Sequence, residues 1–264
     1  MSLDFPSGLS LEPSGLPIVD PRTVVRRAYW RRINQRLLMM MVAAGCLLAA
    51  IGGWGKIRAE RQSACKEQLG RIGLAFHRFQ EARDRFPAPA IVDPSGRPLL
   101  SWRVAILPYL DGGETLYREF HRDEPWDSPH NLGLVARMPA VFGCPSDPGH
   151  VSGMTPYRVI ASKTSRESGN PMFEDGRGVE MLEITDGLSG TILVVESPES
   201  VPWTKPDDLR FEPGEPAPRF GSRHTGGFHV LLGDANVRLI KFTIDPRTLM
   251  TIITRDGGEI ISDA

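Results

Sequence analysis

The apolar positions of the chain follow one pattern before about residue 55 and another after it. Residues 37–55, LLMMMVAAGCLLAAIGGWG, carry no charge, and six arginines stand within the fifteen residues before them. At a rise of about 1.5 Å per residue this run covers about 28 Å, close to the hydrocarbon thickness of a bilayer. We therefore predict a transmembrane helix over residues 37–55, preceded by a disordered, basic cytoplasmic tail over residues 1–36. A cleaved signal peptide is the alternative, but no small-residue cleavage site follows the run.

After this run, apolar residues recur with helical spacing. Cys65, Leu69, Ile72, Phe76 and Phe79 are separated by four, three, four and three positions, which places them on one face of a helix. The helix should end before Phe86-Pro87, since proline disfavours a helical residue before it. Residues 56–86 are thus predicted to continue the membrane helix and to pack on a head formed by residues 87–264.

Within the head, short helices are expected first and short strands later. Ser128-Pro129 and Asp245-Pro246 each predict a helix start, with an N-cap followed by proline. From residue 155 on, five runs rich in Val, Ile and Leu predict strands: TPYRVIA, VEMLEIT, TILVVES, GFHVLLG and NVRLIKF. Gly233-Asp234-Ala235-Asn236 predicts a hairpin turn between the last two. Helices followed by strands indicate an α+β fold with a mainly antiparallel sheet.

Composition excludes some function classes. The 31 basic and 32 acidic residues nearly cancel, so the chain shows no basic excess of the kind that nucleic-acid binding requires. The 27 glycines and 23 prolines argue for many turns and against a helical bundle.

Two of the three cysteines, Cys65 and Cys144, follow the predicted span. On the oxidising side of a membrane they predict a structural disulfide, which would close a loop of roughly 80 residues and contribute on the order of 4 kcal/mol. Neither lies in a Cys-x-x-Cys motif or a metal-ligand spacing, so zinc and catalysis are weaker interpretations. Two buried free thiols remain the alternative.

The segment HRDEPWDSPHN (121–131) holds two histidines, three carboxylates and a tryptophan. Its prolines and the Asp-Ser pair favour a rigid loop that opens a helix over a metal or catalytic site, because the histidine spacing matches no metal motif. His224, His229 and Asp234 could converge around the predicted hairpin, but packing is the more common role of such histidines. Trp126 and Trp203 are candidates for stacking on a ligand, and the alternative for Trp203 is a tryptophan held by prolines and packed at a strand end. We predict no catalytic residue, no metal and no cofactor, and the candidate interaction residues are Trp126, Trp203, His224 and Asp234.

Several long stretches resemble the bacterial family known as domain of unknown function 1559, whose members often begin with a prepilin-type segment. They include CKEQLGRIGLAFHRFQ, LYREFHRDEPWDSPHN, MPAVFGCPSD, EITDGLSGTILVVES and GFHVLLGDANVRLI, and together they run from about Cys65 to Ile261. The resemblance implies a pilin-like or pseudopilin-like architecture. Two features depart from it: RRINQRLLMMM lacks the Gly and Glu of a prepilin signal, and Ala235 stands where the family's Asp-Gly turn has glycine.

These observations together predict a non-enzymatic, pilin-like protein of the cell envelope that acts through protein–protein contacts. Its expected partners are the membrane, envelope or secretion-type proteins, and a second copy of the chain. Its expected location is the inner membrane, with one span and a periplasmic head. A tethered module that binds saccharides or peptides is the alternative, and it would use Trp126 and Trp203.

Overall fold

The computed structural model describes residues 21–147, 153–163 and 165–258. Helix α1 runs from Pro21 to Arg83. It begins within the segment that was predicted to be a disordered tail, and residues 1–20 of that tail lie outside the described residues. By its contacts the chain divides into two compact units, Met1–Ile57 and Arg58–Ala264.

The transmembrane prediction is corrected by the structure. Among the helices whose residues are described, none combines the length and the apolar composition needed to cross a bilayer. The prediction of a long N-terminal membrane helix is therefore wrong. Although α1 has 63 residues, charged side chains stand on both sides of the uncharged run, so the helix is polar on average. The side chains at positions 44 and 47–51 of that run lie outside the described residues.

The last third of α1 supplies one wall of the core of the second unit. Cys65, Leu69, Ile72 and Phe76 are fully buried, and Phe79 is half-buried against the same cluster. These are the residues that the helical spacing placed on one face. After the helix ends, the backbone N–H of Phe86 donates to the carbonyl oxygen of Val179, which holds the segment that follows α1 against the head.

The remaining helices are short, as the glycine and proline content predicts. Ser128 and Asp245 cap two of them, each accepting a hydrogen bond from the backbone N–H three residues later, so both predicted N-caps are confirmed. The short α-helices are α2 (Trp102–Ala105), α3 (Gly113–Glu119), α4 (Pro129–Leu134) and α5 (Pro246–Ile253). The 3-10 helices are Leu107–Tyr109, Val135–Arg137, Ala140–Phe142, Met181–Glu183 and Leu188–Gly190.

Within the described residues, nine strands form three sheets. They are β1 (Ala90–Val92), β2 (Pro98–Ser101), β3 (Met154–Arg158), β4 (Ile160–Ser162), β5 (Phe173–Glu174), β6 (Ile192–Pro202), β7 (Leu209–Arg210), β8 (Gly227–Leu232) and β9 (Val237–Lys241). The main sheet is antiparallel with the order β3-β6-β8-β9, and β1 pairs with β2. Strands β5-β4-β7 form a small parallel sheet. The fold is therefore α+β with a mainly antiparallel sheet, as predicted.

One predicted strand is a helix instead. The segment VEMLEIT contains the 3-10 helix Met181–Glu183, because Glu180 and Glu183 form a capping box in which each side chain accepts from the other residue's backbone N–H. Local hydrogen bonding thus prevails over the apolar alternation of the segment.

The predicted hairpin between β8 and β9 is confirmed. Ala235 in its turn has φ 65°, a left-handed conformation that glycine adopts without strain. The turn lies against α1 at Gly73, where an added Cβ would come within 2.9 Å of the Ala235 Cβ. A side chain at position 73 would therefore displace the turn.

Candidate functional site

Four side chains with metal-binding or nucleophilic atoms converge inside the second unit. Cys65 comes from α1, Cys144 from the loop after the 3-10 helix Ala140–Phe142, Glu196 from β6 and His224 from the segment before β8. One ligand atom from each lies within 4.8 Å of the others, and all four residues are buried. We call these four residues the cysteine cluster.

Local structure explains why each side chain points inward. Cys65 opens the buried stripe of α1, and it faces the same interior as Leu69 and Ile72. Glu196 lies in the central strand of the main sheet, opposite Tyr157 of β3, and is 1% exposed. The backbone N–H of His224 donates to Ser222 Oγ at 3.0 Å, which orients the residue at the edge of the sheet.

The contacts within the cluster are short. The two sulfur atoms lie 2.8 Å apart. His224 Nε2 lies 3.0 Å from Glu196 Oε1 and 3.8 Å from Cys144 Sγ, and Cys144 Sγ lies 3.8 Å from the same Glu196 oxygen. The second carboxylate oxygen of Glu196 accepts from the His229 backbone N–H at 2.7 Å and lies 3.2 Å from His229 Nδ1. His229 therefore fixes the orientation of the Glu196 carboxylate.

The buried groups shift one another's protonation. The hydrogen bond from Cys144 lowers the pKa of Cys65 to about 5, and the same contact raises the pKa of Cys144. Either sulfur can be the donor in this contact, and the contact favours loss of a proton from one of the two thiols. Burial opposes the charged forms of Glu196 and His224, but the hydrogen bonds between them outweigh it. They lower the pKa of Glu196 to about 2 and, together with Cys65, raise the pKa of His224 to about 9.

The structure brings Cys65 and Cys144 side by side, as the sequence predicts, but as free cysteines. The sulfur separation of 2.8 Å exceeds the ~2.05 Å of a disulfide bond. No disulfide joins them, so the structure does not support the predicted bridge. The sequence made zinc a weaker interpretation because the two cysteines lack a metal-ligand spacing along the chain. That spacing does not show the carboxylate and the imidazole that the fold places beside them.

The other predicted interaction residues lie in structural settings. Trp203 is fully buried, and its indole N–H donates to the Val135 carbonyl oxygen at 2.9 Å, so its faces cannot stack on a sugar. Trp126 is half-buried against the core, with the Lys205 ammonium 5.9 Å from its ring centre. Asp234 accepts hydrogen bonds from the backbone and side chain of Asn236 in the β8–β9 turn and is not a member of the cysteine cluster.

The HRDEPWDSPHN segment forms a rigid loop. The buried Asn131 side chain accepts from the His121 backbone N–H, and its amide donates to the carbonyl oxygens of His121, Glu124 and Pro125. The rings of His121 and His130 stack with their centres 3.6 Å apart. The polar residues that resemble a catalytic site are thus engaged in contacts that stabilise the loop.

Sequence reasoning missed Glu196. The signal that could have found it is a carboxylate in an otherwise apolar strand, TILVVES, since such a residue is rarely buried without a partner. Its partners, His224 and His229, were considered together with Asp234, which the fold directs elsewhere.

Comparison with known proteins gives one match. The family model described as "Protein of unknown function (DUF1559)" matches residues 56–215. No curated protein and no solved structure matches significantly. Three members of the cysteine cluster, Cys65, Cys144 and Glu196, lie within the matched residues, and His224 lies beyond them.

Proposed function

The chain belongs to the DUF1559 family, whose function is unknown, and we propose that it is a non-enzymatic protein of the cell envelope that acts through contacts with other proteins. The envelope location follows the expectation that the family resemblance carries. The pilin-like part of that expectation depended on a membrane helix and is not included. A second copy of the chain is one candidate partner.

The observation that carries this proposal is a cleft of about 700 Å³ at the end of α1. Aromatic and apolar side chains line it, together with three arginines and one glutamate: Phe79, Phe86, Ile91, Tyr109 and Tyr117, then Arg83, Arg85, Arg122 and Glu114. Tyrosine and arginine are enriched at the centres of protein interfaces, because both combine a large flat surface with hydrogen-bonding groups. This lining fits an extended segment of a partner that carries carboxylates and apolar side chains.

The charges of the cleft favour an acidic partner. The Arg122 guanidinium lies 4.5 Å from the centre of the Tyr117 ring, so the two side chains form one flat, positively charged surface. Arg85 is more than half exposed and pairs only loosely with Glu180, at 3.6 Å. Glu114, the acidic residue of the lining, forms a hydrogen bond of 2.9 Å with Arg118. An incoming carboxylate would therefore meet more positive than negative charge.

A non-catalytic role is supported by where the reactive groups lie. The cysteine cluster is enclosed, and the cavity beside it measures about 10 Å³, too small for a substrate. Among the described residues, the lining of the cleft contains no cysteine, histidine or serine. Nucleophile and cleft are thus separate features of the head.

The saccharide-binding alternative loses its main support, because Trp203 is fully buried and its indole N–H is used internally. Binding of a peptide segment is retained in the present proposal, but at the cleft and not at Trp126 and Trp203.

Site-specific photocrosslinking in the source cells tests the proposal. A photoreactive amino acid at Ile91, inside the cleft, should crosslink to a defined envelope protein. The matched position Leu182, which is 91% exposed and outside the cleft lining, should not. Arg122→Glu should abolish the crosslink from position 91, whereas Arg238→Glu on β9 should leave it unchanged. Equal crosslinking from both positions, or no effect of Arg122→Glu, would contradict the proposal.

A further inference from the structure

We propose that Cys65, Cys144, Glu196 and His224 bind a zinc ion that joins α1, the 144 loop and the main sheet. The four ligand atoms already lie within 4.8 Å of one another in the interior. Two thiolates, an imidazole and a carboxylate are ligands that zinc takes in tetrahedral protein sites. This inference is independent of the proposed function, since it concerns the interior and not the cleft.

The dimensions of the cluster fit a tetrahedral ion after one small adjustment. With Zn–S bonds of about 2.3 Å and Zn–N bonds of about 2.0 Å, the edges of the tetrahedron are about 3.8 Å between sulfurs and about 3.5 Å between sulfur and nitrogen. The distances from Cys144 Sγ to His224 Nε2 and to Glu196 Oε1 are both 3.8 Å, and Nε2 lies 3.0 Å from Oε1. Of these four edges, the sulfur pair departs most, at 2.8 Å, and must open by about 1 Å. The two remaining edges, from Cys65 Sγ to the His224 and Glu196 ligand atoms, are no longer than 4.8 Å.

The balance of donors and acceptors also calls for a cation. The cluster contains two sulfurs and a carboxylate, all buried, and the described residues show no lysine or arginine forming a hydrogen bond or ion pair with any of them. Among the described residues, His224 and His229 supply the hydrogen bonds of 3.2 Å or less that the carboxylate side chain accepts. With both sulfurs as thiolates the set carries three negative charges, and His224 can compensate only one of them, so the remainder is costly to bury without further positive charge. A divalent ion supplies that charge at the centre of the four ligands.

The surroundings resemble the support that metal ligands receive. His229 donates its backbone N–H to Glu196 Oε2, and its ring Nδ1 lies 3.2 Å from the same oxygen, which leaves Oε1 directed at the cluster. Ser222 Oγ accepts from the His224 backbone N–H and holds that residue in place. Such outer partners orient the ligands, and their loss typically weakens metal binding about 10–100-fold. His229 is therefore a positioning residue and not a ligand.

The enclosure indicates a structural ion. Four protein ligands complete the coordination of zinc, and the adjacent cavity has room for about one water-sized sphere. No open position remains for a substrate. Because the ligands come from four separate segments, the ion would connect them as a crosslink does, and its binding free energy would add to the stability of the fold.

Zinc titration of the full-length chain tests the proposal. The protein is purified with a reductant, stripped with a chelator and titrated with zinc against a chromophoric competitor. We expect one zinc per chain and a higher melting temperature on binding. Cobalt in place of zinc should give tetrahedral d–d bands and a thiolate-to-cobalt charge-transfer band.

Matched variants separate the site from adventitious binding. Cys65→Ser and His224→Ala should abolish stoichiometric binding, whereas Cys46→Ser and His130→Ala, at exposed positions, should bind as the wild type does. His229→Gln keeps all four ligands and should bind one zinc per chain with about 10–100-fold weaker affinity. This variant therefore still tests the site if a ligand variant does not fold. Absence of zinc from reduced, folded protein would overturn the proposal. Unchanged zinc binding by Cys65→Ser would overturn it as well. So would a Cys65–Cys144 disulfide in the oxidised protein together with no zinc binding by the reduced protein.

Discussion

Two buried polar clusters of the head differ in how their charges are compensated. In the first, which we call the arginine centre, Arg103 and Asp208 lie 3.5 Å apart with side chains 0% and 3% exposed. The second is the cysteine cluster. Both place ionisable groups in the interior, but the arginine centre is balanced by one permanent guanidinium, whereas the cysteine cluster has two sulfurs and a carboxylate beside the single countercharge that His224 can supply.

The arginine centre is satisfied by protein groups alone. Arg103 donates to the Tyr157 carbonyl oxygen and to Ser101 Oγ. Asp208 accepts from the Val159 backbone N–H at 3.1 Å and from the Trp102 indole N–H at 3.3 Å. Burial lowers the pKa of Arg103 to about 10 and raises the pKa of Asp208, but each remains paired with the other. A guanidinium with many donors can thus close a buried site without any ligand.

The cysteine cluster has the opposite composition. Its sulfurs and carboxylate are acceptors, and histidines are the donors that reach them. The N–H groups of a guanidinium can satisfy the hydrogen-bond acceptors of a carboxylate, whereas thiolates and an imidazole are ligands for a soft or borderline metal ion. The difference teaches that burial of charge alone does not identify a functional site. The ratio of donors to acceptors, and the identity of the ligand atoms, are more informative.

The largest effect that tests this comparison is expected at Arg103. Arg103→Met leaves Asp208 buried without its countercharge, and such a loss typically costs about 3–5 kcal/mol. Urea denaturation should show that loss whether zinc or a chelator is present, because the arginine centre does not depend on a metal. The exposed Arg71→Met is the control, since Arg71 pairs only with Glu67 on the surface of α1.

A second substitution sharpens the result. Adding Asp208→Leu to Arg103→Met removes the unpaired carboxylate, and part of the lost stability should return. A loss below about 1 kcal/mol in Arg103→Met would show that the centre is not a closed ion pair and would remove the contrast with the cysteine cluster.

An intermediate effect is expected from pH at a third charged group. Glu183 accepts from Arg177 and lies 3.8 Å from Arg255, and the hydrogen bond with Arg177 lowers its pKa to about 2. Because the pKa in the folded state is below the usual value of 4.5, the contribution is present above pH ~4.5 and is lost as the pH falls toward 2. The side chain is 31% exposed, so solvent screening reduces the contribution to about 1–2 kcal/mol.

Glu183→Gln should therefore be less stable than the wild type at pH 7 and about as stable near pH 2, as measured by thermal unfolding across that range. Glu114→Gln serves as the control, because its stability should depend on pH as that of the wild type does. The same pH dependence in Glu183→Gln would mean that other carboxylates cause the loss of stability in acid.

The smallest effect is expected at the surface. Glu114 and Arg118 form a pair at 2.9 Å with side chains 49% and 75% exposed. Exposed pairs four residues apart on a helix contribute about 0.3–0.5 kcal/mol and are screened by salt. Glu114→Gln should cost no more than this, and the cost should disappear at high salt. A larger cost would show that pairing in this protein matters regardless of burial.

Local features of the sequence predicted local features of the structure. The four-and-three spacing of Cys65, Leu69, Ile72 and Phe76 identified the buried face of α1, and Ser128 and Asp245 identified two helix starts. Their causes act within one or two helical turns, so they can be read without knowledge of the fold. The α+β class followed from the order of the same short patterns.

Errors arose where a local pattern had two explanations. The apolar run at 37–55 predicted a membrane span that the described helices do not contain, and VEMLEIT predicted a strand where a capping box forms a 3-10 helix. In the second case the apolar residues were counted without the two glutamates that cap the helix. For Trp203 the sequence left ligand stacking and packing both open, and the structure shows packing, with a cover of distant residues such as Phe120, Val135 and Phe142.

By itself, the sequence determined the helical face, the helix caps, the β8–β9 hairpin and the α+β class of the head, since each depends on residues a few positions apart. Only the tertiary structure decided that Glu196 and His224 join two cysteines separated by 79 positions, and that Asp234 does not. Convergence of this kind depends on strand order and on how α1 packs against the sheet. No spacing along the chain encodes it, because the ligand atoms are brought together by burial of the apolar residues around them.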